Sequence, residues 1–235
     1  MAQSVLLNNI DHRDLRVVTT RSAEYGDDVM LAVTFPAEFR NLQAHYPIVF
    51  RKTAAGEFQP IALLGFQDKQ NLFLGPGGWE ATYLPLLIER MPFLIGRADQ
   101  QLLMHVDMDS PRISHTEGEA LFREHGGTTE FLERMNSVLL TIHQGLQGTP
   151  AFIAALLEFE LLESFVFDIQ LADGSQNRLA GFYVIHEERL NALDGRALDR
   201  LNKPGYLLPI YMAVASLSNF RDLIERQNRK DTGNA

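Results

Sequence analysis

The sequence predicts an α+β fold: a single domain with a strand-rich N-terminal half, a helical C-terminal half and a β-hairpin inserted among the helices. Three observations carry this. Short β-branched and aromatic runs, punctuated by turn residues, fill the first half in the manner of strands. From Thr116 onward the apolar residues recur at helical spacing instead. No Ser/Gly linker, charge block or internal repeat divides the 235 residues, which places one folded unit over 1–225 and leaves a polar C-terminal tail over 226–235.

Residues 29–35 and 48–52 are β-branched and apolar and predict strands, and a further strand over 58–66 follows the hairpin loop Ala54-Ala55-Gly56-Glu57. Between the first two, Phe39 and Leu42 stand at i, i+3 behind Pro36, which predicts a short helix over 36–45. Residues 71–74 predict another short strand. After Gly75-Pro76-Gly77-Gly78, the positions Trp79, Tyr83 and Arg90 share a helical spacing, so 79–90 predicts a helix that Pro85 shortens or kinks. Strands are expected over 93–95 and 101–106.

The period then changes, and 118–125, 129–147 and 150–162 predict three successive helices, with Gly126-Gly127 and Gly148 as stops and Thr128 or Thr149 as caps. Residues 165–171 and 178–185 flank Asp173-Gly174, a pair that supplies the positive-φ residues of a tight hairpin turn. Helices over 187–193, 195–202 and 208–226 close the domain, the last one bent near 216–219.

Composition narrows the function classes. With 46% apolar and 22% charged residues the chain reads as an ordinary globular protein, which removes whole-chain disorder and fibrous repeats. Its net charge of −9 argues against a nucleic-acid partner, whose phosphates demand a basic footprint. Only Lys52, Lys69, Lys203 and Lys230 are lysines, so the positive charge is mostly arginine, suited to fixed pairing with carboxylate or phosphate. The absence of cysteine excludes disulfides, thiolate metal sites and cysteine nucleophiles, and fits a reducing compartment. Near the N-terminus only residues 5–7 form an apolar group before Asp11, His12, Arg13 and Asp14, so no signal-peptide core is expected and a cytoplasmic location is. The longest apolar stretch, 207–217, is about half of the roughly 20 residues of a spanning helix, so no membrane insertion is expected.

Several motifs invite chemistry. Gly75-Pro76-Gly77-Gly78 sits between an expected strand and helix, where backbone N–H groups can cradle phosphate, but it lacks the GxGxxG and Walker patterns and reads as a turn. His105 and Asp107, at i and i+2 on an expected strand, share one face and resemble two ligands of a facial iron triad, with His186 as a third and Arg196 ten residues further on to hold an oxoglutarate carboxylate. The simpler reading is a strand edge with solvated side chains. Asp107, Asp109, Glu117 and Glu119 read as a solvated acidic loop without EF-hand order. His143, on an amphipathic helix, reads as a packed or rim histidine. No GxSxG, HExxH or Ser-His-Asp signature supports a hydrolase. Finally, Tyr46, Trp79, Tyr83 and Phe93 beside Arg90 are suited to line a pocket through stacking and cation–π contacts, or else to fill the core.

The same segment carries a resemblance. Tyr46-Pro47-Ile48-Val49-Phe50, then Pro60-Ile61-Ala62-Leu63-Leu64-Gly65-Phe66, Asn71-Leu72-Phe73-Leu74, and Trp79 through Tyr83-Leu84-Pro85, Ile88, Arg90 and Pro92-Phe93 closely resemble the SapC family of bacterial proteins. The likeness continues through Phe152, Leu156 and Leu157, then Leu179, Gly181-Phe182-Tyr183-Val184-Ile185 and Leu190, to Ile210-Tyr211 and Ser216-Leu217, and so covers nearly the whole chain. Where the family usually has Asp-Glu, this chain has His186-Glu187. The resemblance implies an accessory role around peptide or aromatic-substrate uptake and modification, since family members occur beside halogenase-like flavoenzymes, cupin-like hydroxylases and TonB-dependent receptors.

The resulting expectation is a cytoplasmic accessory or binding protein that needs no cofactor. Its pocket is expected at Tyr46, Trp79, Tyr83, Arg90 and Phe93, for a peptide or indole-like molecule. The alternatives are an Fe(II)/oxoglutarate-type oxygenase built on His105, Asp107, His186 and Arg196, and a scaffold for a halogenase-like enzyme or a receptor system.

Overall fold

The computed structural model describes residues 4–98, 101–170 and 176–233. In chain order the strands are β1 (Ser4–Leu6), β2 (Arg16–Val17), β3 (Leu31–Val33), β4 (Ile48–Lys52), β5 (Phe58–Leu63), β6 (Leu74–Gly75), β7 (Gly78–Trp79), β8 (Phe93–Ala98), β9 (Gln101–Asp107), β10 (Ile113–Ser114), β11 (Glu119–Ala120), β12 (Leu162–Gln170) and β13 (Gln176–Ile185). The α-helices are α1 (Phe39–Leu42), α2 (Leu86–Glu89), α3 (Glu130–Glu158), α4 (Glu187–Asn191), α5 (Gly195–Asn202), α6 (Leu207–Ser216) and α7 (Phe220–Gly233). The fold is α+β, with every strand pairing antiparallel.

Two sheets organise two hydrophobic cores. The larger sheet runs β12-β13-β4-β5-β3. Ile48, Val49 and Phe50 of β4 and Pro60 to Leu63 of β5 are buried in unbroken runs, so both faces of the sheet centre are covered; such strands read as continuous apolar runs rather than alternation. Helix α6 packs on β4 and β13, and Ser216 Oγ accepts the Ile48 amide at 2.9 Å, tying its end to the sheet. The smaller sheet, β1-β9-β8, builds a second core around Phe93 and Val106 with Leu132, Met135, Val138, Leu139 and Ile142 of α3.

Helix α3 belongs to both cores. Gly148-Thr149-Pro150 predicts a break, yet the helix runs through it from Glu130 to Glu158. Pro150 leaves the helix without one N–H, and in the same stretch the Thr149 hydroxyl donates to the Gly145 carbonyl at 2.9 Å. Gly145 itself is required by packing, because a Cβ there would stand 2.1 Å from the Phe35 ring. Apolar stripes on either side of the interruption are buried in different cores, Leu132 to Ile142 in one and Phe152, Ile153 and Leu156 in the other. This burial outweighs the local stop signal. The cap falls on Thr129, one residue after the expected Thr128, and its hydroxyl accepts the Leu132 amide at 3.3 Å.

Other expected elements shift. The helix over 118–125 is instead β11 followed by a turn, with β10 and β11 both pairing β2. Gly118 lies at φ +88°, and a Cβ there would meet the Val17 carbonyl at 2.2 Å, so the chain crosses β2 only with glycine. The helix over 79–90 contracts to the single turn of α2 behind Pro85, and the strand over 71–74 contracts to Leu74. Strands β1 and β2 are too short for a periodicity to reveal. The expected hairpin forms as β12–β13, pairing Phe165 with Phe182 and, after a register shift, Phe167 with Leu179, while Asp173-Gly174 lie outside the described residues. The expected polar tail from 226 begins inside α7: Arg226 stacks 4.3 Å over the Phe73 ring and pairs with Asp222 at 2.8 Å.

Two buried polar nodes fasten the loops between the cores. Asp27 Oδ2 accepts from Arg112 Nη2 at 2.5 Å and from the Ser22 amide at 3.0 Å, while Arg112 Nη1 donates to the Val18 and Thr20 carbonyls, each at 2.9 Å. Arg21 adds an ion pair to Asp27 at 3.4 Å and donates to the last carbonyls of α2, Ile88 and Glu89; burial is the main force lowering its pKa. The second node is Glu38, a buried carboxylate receiving the Thr34 hydroxyl at 2.6 Å, the Tyr83 hydroxyl at 3.1 Å and the Leu86 amide at 2.7 Å. Desolvation raises its pKa, and these hydrogen bonds only partly oppose the rise.

Candidate functional site

The five residues expected to share a pocket divide into two groups. Tyr46 is fully buried, and its phenol donates to the Tyr83 carbonyl while accepting from Trp79 Nε1 at 2.9 Å. Phe73 stacks on Trp79 with centroids 6.3 Å apart and meets Tyr46 edge-on at 4.7 Å. Burial drives the Tyr46 and Tyr83 phenols well above the usual tyrosine range. With its polar tips satisfied and its rings in contact, this trio is packing in the larger core.

Arg90 and Phe93 lie in the other core. Phe93 is fully buried and packs against Phe131 at 6.1 Å. Arg90, at the C-terminal end of α2, donates from Nη1 to the Phe93 carbonyl at 2.5 Å and lines a cleft of about 330 Å³. The cleft walls are aliphatic, with Leu87 from α2, Leu94 and Ile95 from β8, Leu102 from β9, and Leu139 and Ile142 from α3. Leu146 stands exposed at the rim.

Two ionisable groups, Arg90 and His143, are the polar fittings of this space, and among the described residues no Asp or Glu lines it. Among the described residues no carboxylate lies within ion-pair distance of Arg90. Burial alone accounts for the lowering of its pKa. The acid beside it, Glu89, is engaged with Arg134 at 3.4 Å. His143 is held by Gln147 one helical turn on, ring nitrogen to amide nitrogen at 2.9 Å. Roomier clefts of about 370 Å³, 600 Å³ and 550 Å³ are lined in part by exposed charges, Arg40 in the first, Glu133 in the second and Lys52 with Glu57 in the third.

The facial-triad residues are not brought together. His105 and Asp107 sit on β9 on the face opposite the buried Val106; the His105 ring covers Gly96, where a Cβ would be 2.3 Å from Nε2, and Nδ1 stands 3.3 Å from Ser4 Oγ. His186 belongs to the other sheet region, at the start of α4, with Nδ1 3.8 Å from Glu163 Oε1. Arg196 is exposed on α5. Among the described residues no group of three His, Asp or Glu could hold a metal ion, the acidic loop of Asp107, Asp109, Glu117 and Glu119 included. Pro76-Gly77 is the turn joining β6 to β7, with no helix N-terminus behind it to bind phosphate.

The contribution of α3 to the cleft escapes sequence reasoning, because Leu139, Ile142 and His143 follow Arg90 at long range and read as ordinary core and rim positions of a helix. The signal available beforehand is Arg90 itself, a lone basic residue between apolar stretches. No curated protein and no solved structure matches the chain. A family model described as SapC matches residues 7–223, and the chain belongs to the SapC family.

Proposed function

We propose that the protein is an accessory binding module that holds a small apolar molecule, of the indole or apolar-peptide kind, in the Arg90 cleft. The observation that carries this reading is an apolar cleft of about 330 Å³, the lower end of small-ligand sites, beside a desolvated guanidinium with no carboxylate partner among the described residues. The aromatic trio Tyr46, Trp79 and Tyr83 then acts as the rigid wall that carries Pro85 and α2, and so positions Arg90. Since no cluster of metal ligands assembles among the described residues, the binding reading is favoured over the oxygenase one.

The test is thermal unfolding of the full chain with indole, tryptophan and short apolar peptides. A ligand at about 100 times its Kd adds about 2.7 kcal/mol, which in a domain of this length raises the midpoint by about 5–10 °C. The rise is expected to vanish in Leu146→Trp, which fills the rim of the cleft. No rise with any of these compounds would overturn the proposal. The family resemblance also supports work in the cytoplasm beside a halogenase-like enzyme or a TonB-dependent receptor system. Co-purification of such a partner with the tagged chain tests that part. No described helix is long and apolar enough to cross a membrane.

A further inference from the structure

We infer that the Arg90 cleft selects a monocarboxylate on an apolar tail and rejects amines and zwitterions. The inference rests on the binding reading above and goes beyond it by fixing the head group. A guanidinium is a planar, permanently charged fork that matches a carboxylate with paired hydrogen bonds. Arg90 spends one Nη1 hydrogen on the Phe93 carbonyl and meets no acid among the described residues, so no described carboxylate matches its remaining donors. In a cleft walled by Leu87, Leu102, Leu139 and Ile142 that cation is weakly screened, and an entering carboxylate gains more from it than at an exposed site.

The same lining decides what is refused. An ammonium group brought in beside the carboxylate would find no Asp or Glu among the described lining residues and would stand near Arg90, a like charge. A free amino acid such as tryptophan is therefore a poorer ligand than the corresponding acid without its amine. Two sources share the favoured chemistry: a free aryl or alkyl carboxylic acid, and the C-terminal carboxylate of an apolar peptide, whose amino end lies outside the cleft.

The experiment is calorimetric titration of the full chain with a series that keeps one tail and changes the head: 3-phenylpropionate, 3-phenylpropanol, 3-phenylpropylamine and phenylalanine. N-acetylphenylalanine and its amide separate the two sources, since tight binding of the acetylated acid points to a peptide terminus and tight binding of phenylpropionate alone points to a free acid. The expected result is that phenylpropionate or the acetylated acid binds at least tenfold tighter than the alcohol, the amine and phenylalanine. Arg90→Gln is expected to erase that preference, and Arg90→Lys to retain part of it. Because Arg90→Gln also removes the bond to Phe93, Leu146→Trp serves as a second variant that blocks the cleft and leaves the guanidinium in place. Equal binding of the alcohol and the acid, lost in Leu146→Trp but unchanged in Arg90→Gln, overturns the head-group inference and leaves the cleft reading standing. No binding of any member of the series overturns the inference, and the cleft reading falls with it when indole and peptides also fail.

Discussion

The two cores are built from different materials and end differently. Around the larger sheet, rings meet rings: Phe39 touches Phe50 and Phe152 edge-on, Tyr46 meets Phe73, and the polar tips of Tyr46 and Trp79 satisfy each other. Around the smaller sheet, aliphatic and methionine side chains of α3 lie against β8 and β9, and they stop short of Arg90, leaving a space. Large flat rings with matched polar groups close-pack into a rigid wall. Branched chains around one unpaired cation do not fill the volume a guanidinium keeps open. The aromatic residues of the larger core thus build the support, and the Arg90 cleft forms beside the other core, among leucine and isoleucine.

This contrast can be broken by mutation. The largest effect is expected from Phe50→Ala, which empties the aromatic core beside Phe39; a loss of about 3–5 kcal/mol in urea unfolding is the expected result. Leu139→Ala, in the wall of an existing cleft, is expected to lose less, about 2–3 kcal/mol, because the added space joins one already open to water. Equal losses at the two positions would contradict the difference between the cores. Tyr46→Phe leaves the Trp79 indole N–H and the Tyr83 carbonyl without their partner, at a cost of about 1–3 kcal/mol in urea unfolding.

The smallest expected effect is a pH dependence. Glu38 has a folded pKa above its ordinary value of 4.5, so it favours the fold when protonated; its contribution is complete below that value and is lost as pH rises through the raised one. Urea midpoints of the wild type should therefore fall relative to Glu38→Gln as pH is raised from 4.5 toward neutrality. Parallel profiles would show that the carboxylate titrates alike in both states.

Much of the architecture is legible in the sequence, and the exceptions have physical causes. Strand β4 and helix α5 appear with their expected bounds, because a β-branched run and an Asp194 cap are local signals that the fold reinforces. The expected bend after α6 appears as a 3-10 turn over Leu217–Asn219. Helix α3 is misread because Gly148-Thr149-Pro150 carries every local stop signal, while the forces that override it are long-range burial against two sheets. The segment 79–90 is misread because its aromatic spacing arises from a hairpin and a coil, with Pro85 delaying the helix. At the site, Arg90 is legible as a polar group amid apolar residues. The separation of Tyr46, Trp79 and Tyr83 from it is not, since it depends on which of two cores each ring enters.

Helix α3, about 43 Å long at 1.5 Å per residue, threads both cores as one unbroken rod. Its amides in one half cannot open far without loosening the rungs that hold the other. A compound seated beside Leu139 and Ile142 is expected to slow deuterium uptake at Phe152 and Leu156 as well, and through them across the five-stranded sheet. Occupancy at one end of the molecule would thus be registered at the other as slower solvent exchange, with no hinge moved and no surface rearranged.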